Sequence, residues 1–254
     1  MSTYNFYFSP SGGTEKVADA FASEWEKPVE KIDLLKKALP ESVLHINEED
    51  ICIFSLPSYG GRIPSVTVEK LRELSGNGAK AVLIAVFGNR AIDDTLVEMY
   101  DLLTEAGFRC IAGIEAVAEH SLMPQFGTGR PDTEDVKELK NFAEKIQKAV
   151  KDRTVTDHPE IPGNRPYREF GGVPLKPSAS GSCTKCGICA EECPAGAIPV
   201  SDPSKTDKTK CISCMHCVTV CPAHARKLNK VMTFAAAQKM KKNCSDRKNN
   251  KLYL

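Results

Sequence analysis

Eight of the chain's eleven cysteines fall between Cys183 and Cys221, and they fall twice in the same pattern. Cys183-x2-Cys186-x2-Cys189-x3-Cys193 is followed by Pro194, and Cys211-x2-Cys214-x2-Cys217-x3-Cys221 by Pro222. Three cysteines at this step wrap a loop round one [4Fe–4S] cubane, and the fourth iron takes its ligand from the other half of the repeat. That assigns Cys183, Cys186, Cys189 and Cys221 to cluster one, and Cys211, Cys214, Cys217 and Cys193 to cluster two. Each proline turns the chain just after the crossing ligand. Four thiolates also suit tetrahedral zinc, but zinc ribbons pair two Cys-x2-Cys knuckles and leave a third cysteine at the same step without a role. A cassette this small has little core of its own, so bound metal must supply much of its folding energy. One cluster would serve as a staple; two suggest a wire for electrons.

The rest of the chain holds only three more cysteines, Cys52, Cys110 and Cys244. Its 254 residues, at about 150 per domain, leave room for a second domain. A content of 41% apolar and 26% charged residues is ordinary for a globular protein and excludes a wholly disordered or collagenous chain. No stretch approaches the length of a membrane span, and residues 1–10 lack a basic region followed by an apolar run. The expectation is a cytoplasmic protein without membrane insertion. The net charge of +1 hides an asymmetry: residues 226–254 carry nine Lys or Arg against Asp246 alone. This basic tail either offsets cluster charge or steers an acidic redox partner, or is simply a solvated helix face. Without aromatic interleaving it argues against nucleic acid.

Residues 1–151 alternate strand-like and helix-like stretches. Strands are expected at 4–8, 29–35, 51–56, 81–87 and 111–118. Helical stripes run through Val17 and Phe21, through residues 64–74, through Leu96 and Leu103, and through Leu139 and Ile146, the last opened by Asp132 or Thr133 as a cap. Apolar strands alternating with single helices imply a parallel sheet covered on both faces. Five strands in this length suit the doubly wound flavodoxin-like order 2-1-3-4-5, whose ligands bind outside the carboxyl ends of the strands. Residues 152–180, rich in Pro and Gly and without a period, read as a semi-rigid linker. The two-cluster cassette occupies 181–228 as a small α+β domain. Residues 229–254 form a basic C-terminal helix and tail, with Met232, Ala236, Met240 and Cys244 four apart.

Three loops lie where that rule puts a ligand. Ser9, Pro10, Ser11, Gly12, Gly13 and Thr14 join the first strand to its helix, and their N–H groups and hydroxyls suit a phosphate. Pro57, Ser58, Tyr59, Gly60, Gly61 and Arg62 follow the third strand. Phe87, Gly88, Asn89 and Arg90 follow the fourth. Glycines let backbone approach a flat ring, Tyr59 can stack on it, and Arg62 or Arg90 can meet its negative edge. The blander alternatives are a capped helix start, a loop aromatic and surface ion pairs. The segment 120–130 is long for a connection and reads as a lid. Within it His120 is a candidate proton donor. Cys52 and Cys110 read as core packing.

With these loops and the cassette together, the chain resembles flavodoxin–ferredoxin fusion proteins of anaerobic bacteria and archaea over nearly its full length. Residues 9–14 are similar to the flavodoxin Ser/Thr-x-Thr-Gly-x-Thr loop, and the eight cysteines match those of two-cluster ferredoxins. The resemblance implies FMN in the first domain and two [4Fe–4S] clusters in the second. Gly13, where flavodoxins commonly have Asn, and Ser11 in place of Thr each remove side-chain bonding to phosphate. The leading expectation is an electron-transfer iron–sulfur flavoprotein working between redox partner proteins. One rival is an FMN-dependent reductase of a small-molecule acceptor. The other is a ferredoxin carried on a flavodoxin-like docking domain that has lost FMN.

Overall fold

The structure, a computed structural model, describes residues 1–25 and 28–254. Its first part runs β1 (Thr3–Tyr7), α1 (Gly13–Ala22), β2 (Val29–Asp33), β3 (Ile51–Pro57), α2 (Ser65–Arg72), β4 (Lys80–Phe87), α3 (Thr95–Glu105), β5 (Arg109–Val117) and α4 (Thr133–Lys151). These strands pair in parallel in the order β2-β1-β3-β4-β5, the flavodoxin-like order expected. Successive side chains of a strand point to opposite faces, so each strand feeds two cores. Phe6, Phe54 and Leu83 pack on one face; Ile53, Val82 and Ile84 pack on the other against Val17, Phe21 and Ile146. Phe6 stacks on Phe54 at 4.6 Å between centroids, and Phe108 meets Phe54 edge-on at 5.2 Å. Each such ring removed from water stabilises the fold by about 2 kcal/mol. Cys52 and Cys110 are buried in this packing.

Of the two candidate caps for α4 the structure selects Asp132. Its carboxylate accepts from the N–H groups of Glu134 and Asp135, while the Asp135 carboxylate accepts from the Asp132 N–H at 2.9 Å. Arg247, returning from far along the chain, pairs with Asp132 at 2.7 Å.

The cysteine-rich part contributes β6 (Ser178–Ala179), α5 (Ile188–Glu191), α6 (His216–Thr219) and β7 (Arg226–Lys227), with β6 and β7 antiparallel. Its two halves repeat with an offset of 28 residues. Left-handed backbone recurs at Lys185 and Ser213 (φ 55° and 59°), Gly187 and Met215 (89° and 67°), and Gly196 and His224 (56° and 46°).

The chain then returns to the first part. Helix α7 (Lys230–Cys244) lies on the segment 120–130, with Ala237 and Cys244 packed against Met123 and Phe126. That segment is therefore pinned to a helix through Met123 and Phe126, while Pro124, Gln125, Thr128 and Gly129 stay exposed. Strand β8 (Lys251–Tyr253) adds antiparallel to β5, making the sheet six-stranded rather than five. Three residues are too few to show a period, so β8 has no sequence signature. Asn250 anchors it by accepting the Val117 N–H at 2.8 Å, and Tyr253 bonds to Glu115.

Residues 152–177 form no helix or strand but are tightly held. The Asp94 carboxylate accepts from Asn164 N–H at 2.8 Å and Arg168 N–H at 2.7 Å. Burial opposes its charge, yet these donors keep it below the usual carboxylate range. Arg165 and Tyr167 both bind Asp101.

Candidate functional site

A cavity of about 480 Å³ opens at the carboxyl ends of β1, β3, β4 and β5. Its floor comes from the three loops singled out in the sequence: Pro10, Ser11, Gly13 and Thr14 from the first, Pro57, Ser58, Tyr59 and Gly60 from the second, Phe87, Gly88 and Arg90 from the third. Gly12, at φ 85°, starts α1, and Ser9 Oγ accepts from Glu15 N–H at 2.8 Å. Among the described residues the N–H groups of Gly13 and Thr14 donate to no protein acceptor. Two free amides at a helix start, opening into a cavity, make a cradle suited to a phosphate.

Tyr59 and Arg62 close a tight turn, exchanging N–H···O bonds of 2.8 and 3.2 Å, with Gly60 and Gly61 between them at φ 62° and 87°. Two successive residues of this backbone favour glycine, which takes positive φ at no steric cost. Burial, with the Cys214 thiol nearby, pushes the Tyr59 phenol well above its ordinary pKa. Tyr59 thus stays neutral.

Five of the residues expected at the cofactor do not line the cavity: Ser9, Gly12, Gly61, Arg62 and Asn89. Ser9 and Gly12 shape the first loop from behind. The Gly61 carbonyl accepts the Asp94 N–H at 3.0 Å. Arg62 is the plainest case of a residue placed away from the cavity. Its Nε and NH2 grip the Glu98 carboxylate at 2.8 and 2.7 Å, and its NH1 donates to the Arg168 carbonyl at 2.9 Å. Its charge is engaged by a buried carboxylate and by the linker, away from the cavity. Asn89 is buried and ties down the tail, donating to the carbonyls of Cys244 (2.6 Å) and Asp246 (3.0 Å) and accepting Lys248 N–H. Arg90 alone of the two arginines reaches the cavity wall, paired with Asp93.

His120 also lines the cavity, its ring packed on Gly88 so closely that a Cβ there would lie 2.7 Å away. Its Nδ1 accepts the Leu122 N–H at 3.2 Å, which leaves Nε2 to carry the proton. Burial, aided by the nearby Arg90 charge, lowers its pKa to about 4. At neutral pH His120 is therefore a neutral hydrogen-bond donor, not an imidazolium.

The upper wall was not foreseen from sequence. Arg168, Phe170, Val173, Pro174 and Leu175 come from the stretch read as a linker, Ile212 and Ser213 from the cysteine cassette, and Ala236, Lys239 and Met240 from α7. The one available signal was Tyr167 and Phe170, two aromatic rings in an otherwise Pro- and Gly-rich stretch.

The eight cysteines of the repeat line two small cavities. Cys183, Cys186, Cys189 and Cys221 surround one; Cys193, Cys211, Cys214 and Cys217 surround the other. Each fourth cysteine thus stands with the opposite triplet. The Cys193 sulfur accepts Ala197 N–H, and the Cys221 sulfur accepts Ala225 N–H, both at 3.3 Å. Burial pushes the Cys214 and Cys217 thiols up to about 12, so these sulfurs ionise only when a metal takes the proton's place. A four-sulfur donor set is the chemistry an iron–sulfur cluster requires.

Residues 182–226 match the family model described as a 4Fe-4S dicluster domain. The chain joins a flavodoxin-like domain to a 4Fe–4S dicluster domain. Over 58 residues, 22% of each chain, the protein is 40% identical to a component of the ion-translocating oxidoreductase complex of Methanosarcina acetivorans. The chain thus spans about a fifth of that relative's length. Among solved structures it is similar to a Streptococcus pneumoniae flavodoxin (20% identity, 59% of this chain and all of that one, TM-score 0.43). It is also similar to a Fusobacterium nucleatum flavodoxin bound to flavin mononucleotide (16%, 58% and 98%, TM-score 0.44). The assignment of the first domain rests on its own strand order. No helix of the described residues is long and apolar enough to cross a membrane.

Proposed function

We propose that this protein carries electrons between two [4Fe–4S] clusters and an FMN held in the cavity at the carboxyl ends of the strands. Cys183, Cys186, Cys189 and Cys221 hold cluster one; Cys193, Cys211, Cys214 and Cys217 hold cluster two. The amides of Gly13 and Thr14, with the Ser11 and Thr14 hydroxyls, take the phosphate, and Tyr59, Gly60 and Phe170 wall the ring. FMN, when bound, exchanges one or two electrons, so it can join one-electron clusters to a two-electron partner. The observation that carries this reading is Ile212. It lies between Cys211 and Cys214, and it lines both the cavity at the carboxyl ends of the strands and the cavity of cluster two. The two cavities thus share the wall that Ile212 forms, and Tyr59 of the first feels the Cys214 thiol of the second.

His216 reinforces the junction. Its Nδ1 lies 3.1 Å from the Pro10 carbonyl of the phosphate loop, and its Nε2 lies 3.0 Å from Glu192, next to Cys193. The two domains are thereby fixed against each other at the point where electrons would pass. Cys186, exposed at cluster one, is where a one-electron protein partner would meet the chain.

Anaerobic purification with iron and FMN counted per chain tests the reading. About eight iron and one FMN are expected, and reduction of the clusters by a one-electron donor should bleach the flavin absorbance in the same molecule. About eight iron with no FMN retained after its addition would leave only a dicluster protein on a docking domain. A further space of about 570 Å³ adjoins the flavin cavity, sharing Ser11, Gly13, Glu119, Ser121 and Leu122 with it. It favours, as a second reading, reduction of a small bound acceptor. Saturable turnover with that acceptor would establish it.

A further inference from the structure

The two halves of the dicluster domain align cysteine on cysteine and proline on proline, and among the aligned pairs that differ one places a buried charge beside a cluster. Pro194-Ala195-x-Ala197-Ile198 follows Cys193; Pro222-Ala223-x-Ala225-Arg226 follows Cys221. Ile198 lines the cavity of cluster two, and Arg226 lines the cavity of cluster one. At the same place in the repeat, one cluster therefore faces hydrocarbon and the other a guanidinium.

Arg226 is 2% exposed. Its NH1 donates to Thr206 Oγ1 at 2.6 Å, and its NH2 donates to the carbonyls of Lys205, at 2.9 Å, and of Pro203. Its Nε is buried and has no acceptor among the described residues. No carboxylate stands among these partners. A buried cation held only by neutral oxygens, with one N–H left over, is costly unless a negative group completes it. An iron–sulfur core with four thiolates is such a group, and it gains a further negative charge on reduction.

Resting on the dicluster reading above, we propose that Arg226 is the counter-charge of cluster one and sets its reduction potential above that of cluster two. One electron shared by the pair then rests on cluster one, the cluster further from the flavin cavity. The exchange moves one electron from cluster two to cluster one, and no proton or other reactant takes part. Arg226 lines the cavity of cluster one and not that of cluster two, so its charge acts on cluster one at the shorter range. The cation on the cluster two side, Lys176, binds the Cys211 carbonyl but is half-exposed, and water screens it.

The test is a redox titration of the whole chain, both clusters loaded, followed by electron paramagnetic resonance. Cys186→Ser marks which signal belongs to cluster one. The native protein should reduce in two separate steps, cluster one at the more positive potential. Arg226→Ile, which copies the matched half, should make cluster one at least tenfold harder to reduce, about 59 mV for one electron, and cluster two less so. Arg226→Lys keeps the charge and should keep most of the separation. A single unresolved step in the native protein, or cluster two as the more positive, overturns the proposal without any Arg226 variant. Equal or absent shifts in Arg226→Ile also overturn it; a purely structural Arg226 would cost iron and leave the remaining potentials in place. A native iron content well below eight per chain would instead sink the dicluster reading itself.

Discussion

The ring of Phe170 lies directly on the α-carbon of Gly60: a Cβ at that position would sit 2.1 Å from the ring. The segment that carries Phe170 is not a tether between domains but a wall of the cavity. It is held in place two to six residues earlier by Asn164 and Arg168 on Asp94. Phe170→Ala should therefore weaken FMN binding about fivefold, the worth of about 1 kcal/mol of ring contact, in a fluorescence titration. Gly60→Ala should do the same by driving the ring out, and should also lower stability, because φ of 62° disfavours alanine.

Arg62→Ala separates a structural role from a redox one. It leaves Glu98, whose side chain is 8% exposed, without its cation. The expected cost is about 2 kcal/mol in a urea titration, below the full figure for a buried pair because Arg62 is partly exposed. The flavin midpoint potential should not move. A potential shift without loss of stability would return Arg62 to the cofactor.

His120 supplies a pH signature. Its folded pKa, about 4, lies below the unfolded value of about 6.5. Between those values the unfolded chain binds a proton that the folded chain refuses. Stability from this group is thus complete above about pH 6.5 and declines as pH falls toward 4. His120→Gln should flatten that part of the stability curve. In a magnetic-resonance titration the native His120 ring should stay neutral at pH 6; an ordinary imidazole midpoint would contradict the packing on Gly88.

The crossing of the fourth ligands can be read from damage. Cys193→Ser should impair the spectrum of the cluster held by Cys211, Cys214 and Cys217, and Cys221→Ser that of the cluster held by Cys183, Cys186 and Cys189. The opposite pattern would mean that each run of four cysteines closes on its own cluster.

What the sequence made legible was whatever is local or repeats. Apolar stretches 51–56 and 81–87 announce a buried parallel sheet, and the strand order follows. The cysteine spacing is a contact list in itself, since each triplet is set by three-residue steps. The three loops were found because a rule of topology places them, not because each is distinctive. Arg62 and Asn89 went elsewhere because their partners lie 36 and more than 150 positions away, at Glu98, Cys244 and Lys248. Nothing in a neighbouring stretch announces such a partner. Phe170 was hidden for the related reason that composition describes a segment's stiffness, not its destination. Part of the basic tail met acids of the first domain, Arg247 on Asp132 and Lys251 on Glu115.

Strand β8 has a consequence for how this molecule comes into being. A ribosome that has delivered β1 to α4 has made a sheet whose β5 edge is still bare, and a bare edge invites the wrong neighbour. The residues that cover it, Lys251–Tyr253, emerge only after every cysteine of the cassette has been translated. The same return carries α7 across the segment 120–130. Maturation of the clusters and closure of the sheet are therefore successive clasps on one strap. A chain cut after α4 would yield not a tidy half but an aggregation-prone one with an open seam.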